Sequence, residues 1–426
     1  MKFASLPAIT AARLMFSFGF GFFLSMFTRT VSNIVKQPIQ LELGLNEEAI
    51  SLALGTSFFV TFALAQLPLG ILLDRYDPRK VNASLFLVAA AGAVVMALSA
   101  DGAMLSLGRI LMGLGFAAGM MGSLKVYSLW FPRERLPTIN SLQFMIGVLG
   151  AWSATKPTEL LLRVLDWRDL YLLFAGVTLL AAAIMVTVAP RHQAPASGET
   201  LGDQLRGLLA IYTDDYFWRI APWMCVSIGV AQGLNTLYIF SWLTDVAAFS
   251  VSIAASGVAL VTLVSALNFA VLGPLAEKLG KRGFGPLTLP IVGQLLAMLL
   301  LVLLALQVKV GVVSQWMVWT MMAGTTTLAF AALSQAFPGH MIGRAYTAFN
   351  LLGFLATAAV QWLVGFTLDM FPRAELGGAA PEGYRLAFFV LVACQLAAAC
   401  WFALATRLTI GSRTMLEKNT DEARAR

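Results

Sequence analysis

Twelve long apolar runs punctuate this chain, roughly 9–33, 50–73, 84–100, 103–129, 137–161, 170–188, 217–243, 253–276, 287–306, 312–333, 345–368 and 386–405. At 1.5 Å per helical residue, each is long enough to cross a hydrocarbon core of about 30 Å. Lipid offers backbone amides no partners, so each run must close its own hydrogen bonds. Barrel strands would be about half as long, which leaves helices. The composition agrees, with 59% hydrophobic and 12% charged residues, against about 25% charged in soluble domains. Two soluble domains would fit the 426 residues but not this apolar content. The net charge of +7 does not point to nucleic acid. About 19 of the 29 Lys and Arg residues fall on one side's loops, about 6 on the other's and about 4 in the runs, which is the asymmetry that sets topology. The first run lacks a cleavage pattern and reads as a retained span. Cys225, Cys394 and Cys400 lie in runs, and there are only two histidines, His192 and His340, so neither a disulfide framework nor a metal-ligand spacing is present. No nucleotide loop or nucleophile–base set is found. The chain reads as a non-enzyme without cofactor or metal.

A polar loop closes the second run: Gly70-Ile-Leu-Leu-Asp74-Arg75-Tyr-Asp77-Pro-Arg79-Lys80. A second copy, Gly273-Pro-Leu-Ala-Glu277-Lys278-Leu-Gly280-Lys281-Arg282, closes the eighth. Trp130-Phe-Pro-Arg-Glu-Arg135-Leu-Pro-Thr138 is likewise echoed by Phe337-Pro, Arg344 and Thr347. The paired loops resemble those of the major facilitator superfamily of transporters, which join helices 2 and 3 and then 8 and 9. The first copy departs at Asp77, where the family usually has glycine, although Asp tolerates left-handed backbone better than most residues. The resemblance implies an all-α integral membrane protein with twelve transmembrane helices in two pseudo-symmetric six-helix bundles, residues 1–189 and 217–406. A cytoplasmic linker (190–216) and a cytoplasmic tail (407–426) complete the division, with a site near the midplane. Within the linker, 201–211 is expected as a short helix on the membrane. In the family the loop locks the cytoplasmic face, which makes Gly70, Asp74, Arg75, Arg79, Lys80, Gly273, Glu277, Lys281 and Arg282 candidate gating residues. The alternative is ordinary topology charge.

Arg109, in Gly108-Arg109-Ile-Leu-Met-Gly113-Leu-Gly115, resembles the family's Arg-x-x-x-Gly motif of helix 4 and joins the gating set. Intramembrane arginine costs at least ~2.5 kcal/mol, so Arg109 should face polar protein or snorkel to the nearer surface. Gly115, Gly119 and Gly122 read as packing positions. Three further bases stand within spans. Lys156 has Glu159 one turn on, a local ion pair. Arg29 shares a stripe with Ser25, Ser32 and Asn33, and Lys125 lies deep in its run; both are candidates for a basic cavity wall, with interfacial anchoring as the alternative. Gln232, Asn235 and Tyr238, with Asn350, Thr357 and Gln361, form polar stripes that would grip substrate or join helices.

No run carries a central carboxylate, unlike cation and drug exporters of the superfamily, and Gly147-Val-Leu-Gly150 lacks their helix-5 proline. Nitrate porters carry an arginine in helices 2 and 8, but neither run here has an internal base, which argues against nitrate. The reading is a bacterial inner-membrane, monomeric secondary carrier with both termini cytoplasmic. It moves a small, anionic organic solute by alternating access, with or without a co-transported proton or ion. Its alternatives are a multidrug or metabolite exporter, and a non-transporting sensor on the same fold.

Overall fold

The computed structural model describes residues 7–131, 136–190, 201–338, 341–372 and 378–408, and among them every regular element is helical. Its first helix, α1 (Ala8–Thr30), passes through Val31 directly into α2 (Ser32–Leu43). The apolar pattern ends the first run at Asn33, but the helix continues through Pro38 and stops on Gly44, whose φ of 60° supplies a left-handed cap. Asn46 caps α3 (Glu47–Ser51) by accepting from the Ala49 amide, and a π-helical turn (Leu52–Thr56) leads into α4 (Ser57–Arg75). The N-terminal half continues as α5 (Pro78–Ala97), α6 (Gly102–Phe116), α7 (Gly119–Trp130), α8 (Leu136–Ser153), α9 (Lys156–Leu161) and α10 (Trp167–Thr187). Linker helix α11 (Leu201–Tyr212) leads to α12 (Asp215–Leu237), α13 (Ile239–Asp245), α14 (Val251–Gly280) and α15 (Thr288–Ala305). Last come α16 (Val312–Ala323), a 3-10 turn (Gly324–Leu328), α17 (Ala329–Ala336), α18 (Ile342–Leu368) and α19 (Pro381–Leu408).

Among the described residues, nine helices are long and apolar enough to span a membrane, or up to 10 if α12 and α13, bent by 60°, form one span. The other two apolar runs correspond to α8 and to the interrupted α16–α17. Interruption of a membrane helix strands carbonyls that lipid cannot satisfy. Polar side chains meet them in both halves. Between α6 and α7, Gln66 Nε2 donates to the Ala117 carbonyl (3.4 Å) and Ser25 Oγ to Phe116 (3.4 Å). Between α16 and α17, Asn268 Nδ2 donates to Met321 (2.8 Å) and Gln294 Nε2 to Ala323 (3.0 Å). Gln66 on α4 and Asn268 on α14 stand at corresponding places in the two halves.

The linker and the two motif loops share one face, here called the linker face; the other is the far face. One apolar core runs the full depth of the N-terminal half, from Leu14 and Tyr127 to Phe58, and joins the C-terminal half through Trp316 and Phe388. At the linker face the C-terminal half has a cluster of its own, which includes Leu208 and Ile211 with Phe217, Ile220 and Phe349. Helix α11 is therefore not simply laid on lipid as expected. Its apolar side packs on α12 and α18, and Tyr212 Oη donates to the Ala348 carbonyl (3.1 Å). At the far end of the N-terminal half, Glu42 accepts from Trp167 Nε1 (2.5 Å) and Arg168 Nη2 (2.7 Å). These bonds, Trp167's foremost, hold its carboxyl below the usual range.

Candidate transport site and gates

Arg109 is fully buried and does not snorkel. Its Nε donates to the Leu54 carbonyl (2.7 Å), Nη1 to the Thr28 carbonyl (3.0 Å) and Nη2 to Ser32 Oγ (2.7 Å), while the guanidinium lies 4.8 Å from the Phe58 ring. Leu54 sits in the π-helical turn, where the regular ladder is interrupted. Arg109 thus ties α6 to α1 and to the irregular start of α4. That satisfies the expectation of polar protein around it, but the polar groups belong to the fold and not to a cavity.

The far face is closed by bonds between the halves. Asp369, at the end of α18, accepts from the backbone amides of Glu47 (2.8 Å) and Glu48 (2.7 Å), one carboxylate oxygen for each. A carboxylate from one half therefore caps the positive end of a helix in the other. Trp362 Nε1 donates to Glu48 (2.8 Å), and Lys156 Nζ bridges from Glu159 (2.6 Å) to Ser252 Oγ (2.6 Å). Tyr238 Oη bonds Ser51 Oγ (2.5 Å) and donates to the Gln361 carbonyl (2.7 Å). Beneath the ring of Tyr238, 4.5 Å from its centre, lies Lys36 Nζ, which pairs with Glu47 (2.7 Å), itself also held by Gln40 (2.7 Å). One level deeper, Asn33 Nδ2 donates to the Asn235 carbonyl (2.5 Å), and Gln361 Nε2 to Thr236 Oγ1 (2.9 Å). Asn235, Tyr238 and Gln361, read from sequence as substrate contacts, are thus bonded into this closure.

Arg29 lies next along α1, 7% exposed. Its guanidinium stands 4.2 Å from the Phe62 ring centre and 5.5 Å from that of Phe354, one ring from each half. Buried Nε has no hydrogen-bond partner among the described residues. Four rings continue across the junction: Phe58–Phe59 (5.3 Å), Phe58–Phe62 (5.9 Å), Phe59–Phe354 (6.1 Å) and Phe62–Phe354 (4.8 Å). Half-buried Asn350 stands about one turn nearer the linker face than Phe354 on α18, whereas half-buried Gln232, three residues before Asn235 on α12, is about level with Arg29. Lys125 does not join Arg29 in one wall. Contacts of Ser25 with Phe116 and of Ser123 with Phe18 set the register of α1 against α6 and α7. That register puts the two bases about 20 Å apart along the helix axis.

The motif loops make local bonds. Asp77 caps α5 with φ −57°, so the position usually held by glycine is not left-handed here. Arg79 pairs with Asp77 (2.6 Å) and donates to the Ala189 carbonyl (3.0 Å), tying α5 to the exit of α10 within one half. Lys80 lines a groove of about 450 Å³ between α5 and α10 with Ser84 and Leu179. In the second copy, Glu277 and Lys281 pair on the exposed end of α14 (2.6 Å); Arg282 is exposed and Gly273 has open space about it. The surroundings of Gly70 and the side chains of Asp74 and Arg75 lie outside the described residues, as do 132–135 and 339–340 of the echoed exits.

The sequence alone does not single out Lys36, Glu47, Phe62, Phe354 or Asp369. Lys36 and Glu47 flank a polar stretch with a proline, which reads as loop. Nothing separates Phe62 and Phe354 from the other 27 phenylalanines until the halves are brought together.

A family model described as the Major Facilitator Superfamily matches residues 18–361, and the chain belongs to that family. It is a multi-pass α-helical membrane transport protein and not an enzyme. A stretch of 136 residues is 30% identical to the nitrate/nitrite transporter NrtP of a Picosynechococcus species, covering 31% of this chain and only 23% of that relative. The fold is similar to the crystal structure of a bacterial homologue of the human lysosomal transporter Spinster, with TM-score 0.77, 18% identity, and coverage of 96% of this chain and 99% of that one. It is also similar to a D-xylose–proton symporter, with TM-score 0.74, 15% identity, and coverage of 92% and 97%.

Proposed function

We propose that this protein is a secondary carrier that moves a small organic anion by alternating access between two six-helix bundles, residues 1–189 and 217–406. Arg29 carries the reading: a buried guanidinium with an unpaired donor, placed between the halves just inside their polar closure. Low-dielectric surroundings strengthen its potential, and a carboxylate could take two parallel bonds from it. Counting α8, the bent α12–α13 and the broken α16–α17 as spans gives twelve, and an even number puts both termini on the linker face. The basic excess of that face supports its assignment to the cytoplasm of a bacterial inner membrane. The closed far face is then the outer gate, and the solute reaches Arg29 from the cell interior past Asn350.

Reconstituted protein should accumulate a labelled organic anion against a counter-loaded gradient, and Arg29→Gln should abolish it at equal protein levels. Arg29→Lys should recover it only in part, since ammonium lacks the fork. Equal flux in all three would leave a neutral or cationic solute. Absent flux for every class tested would favour a sensor. Nitrate is a second reading on the strength of the Picosynechococcus relative, although α4 and α14 lack an arginine within their apolar stretches.

A further inference from the structure

Resting on Arg29 as the anion site, we propose that the substrate is an aromatic monocarboxylate whose ring is held by Phe62 and Phe354. Three observations narrow the class. Among the described residues where the halves cross, only Arg29 has a buried guanidinium donor without a partner; the other such donor, Arg219 Nε, lies about three turns nearer the linker face on α12. Arg109, the next nearest, spends Nε, Nη1 and Nη2 on Leu54, Thr28 and Ser32, so it adds positive field without offering bonds. Lys36 is committed to Glu47, and Lys125 stands about 20 Å away along the axis. A second anionic group on the solute, as in phosphate or a dicarboxylate, would meet no second uncommitted cation beside Arg29 among the described residues.

The rest of the surroundings is aromatic. Phe58, Phe59, Phe62 and Phe354 form a continuous ring chain that crosses from one half to the other at Arg29. A flat apolar body can replace the Phe62–Phe354 contact with offset stacks on both rings, while its carboxylate takes the unpaired donors. Inorganic anions offer these rings nothing. Because the two rings belong to different halves, the solute that fits both also supports closure around itself, so recognition and the transport cycle use the same residues.

Binding to the purified full chain in detergent tests this, with benzoate, acetate, succinate, inorganic phosphate, nitrate and benzamide as probes and melting temperature recorded for every variant. Benzoate should bind about tenfold more tightly than acetate, the contribution of ring stacking. Phe62→Leu and Phe354→Leu keep apolar volume but lose the aromatic face. Each should remove most of benzoate's advantage and leave acetate affinity unchanged. Tighter binding of phosphate, succinate or nitrate than of benzoate overturns the proposal. So does an equal loss for benzoate and acetate in the leucine variants, or no benzoate binding by protein that melts cooperatively. Benzamide binding as tightly as benzoate, or full benzoate affinity in Arg29→Gln, would instead bring down the anion reading beneath it.

Discussion

Arg109 donates to the carbonyl of Thr28, the residue beside Arg29, yet the two arginines stand in opposite situations. Arg109 satisfies three oxygens, two of them backbone carbonyls. Removing it strands acceptors in an interior without water, each costing about 1–3 kcal/mol. Arg29 has a buried donor with no partner among the described residues, so its burial is a cost the fold carries without return in hydrogen bonds. Arg109→Met should therefore lower Tm by many degrees or abolish folded yield, whereas Arg29→Met should leave Tm unchanged or raise it. Thermal melts of the two variants beside the parent decide this, and a comparable loss for both would mean that Arg29 too is structural. Composition could say only that intramembrane arginines need an explanation. Which one is a brace and which is poised for a ligand depends on the carbonyl of Leu54, and a π-helical turn there has no signature in the sequence.

At the level of elements, tight helix contacts and open ones can be told apart by what a methyl group would meet. A Cβ on Gly150 of α8 would run into the Phe23 carbonyl of α1, whereas Gly176 of α10 has nothing within 4 Å. Gly150→Ala should destabilise by about 1–3 kcal/mol or more through forced separation of α1 and α8. Gly176→Ala should stabilise by about 0.5–1 kcal/mol, because an exposed helix interior gains from alanine. Denaturation of the two variants in one detergent would contradict this if both moved the same way. Helix positions were largely legible from the apolar runs, since length and hydrophobicity alone force helices in lipid. Their irregularities were not: α2 runs through Pro38, and the breaks at Ala117 and Gly324 contain no proline. The two breaks persist because Ser25, Gln66, Asn268 and Gln294 satisfy carbonyls freed there, and such partners are long-range. The polar stripes were visible for the same reason that they misled. A stripe shows that a helix face needs hydrogen bonds, not whether solute or another helix provides them.

For the whole molecule, closure of the far face rests heavily on one carboxylate. Asp369 holds two amides of the other half, and bonds to charged groups contribute about 1.5–3 kcal/mol each. Asp369→Ala should shift the population toward the state open on that face by about tenfold or more. In a background lacking the three native cysteines, a Gln232→Cys probe should then react faster with an impermeant maleimide added from the far face. An unaltered labelling rate, with transport also unaltered, would show that the latch is redundant with Tyr238 and Lys156. Fold integrity should survive, since each half keeps its own helix packing.

On the proposed reading of Arg29 as the anion site, a fixed cation at the crossing point also decides how membrane voltage enters the cycle. Loaded with a monoanion, the Arg29 site is neutral; empty, it bears one charge. An electric field works on a charge at about 2.3 kcal/mol per 100 mV, so the empty carrier's return is the step it touches. Net uptake should therefore slow under an inside-negative potential, while one-for-one exchange, in which the carrier never crosses empty, should be indifferent. Potassium-diffusion potentials imposed on loaded proteoliposomes would reveal the contrast, and net uptake indifferent to voltage would mean that a proton accompanies the anion.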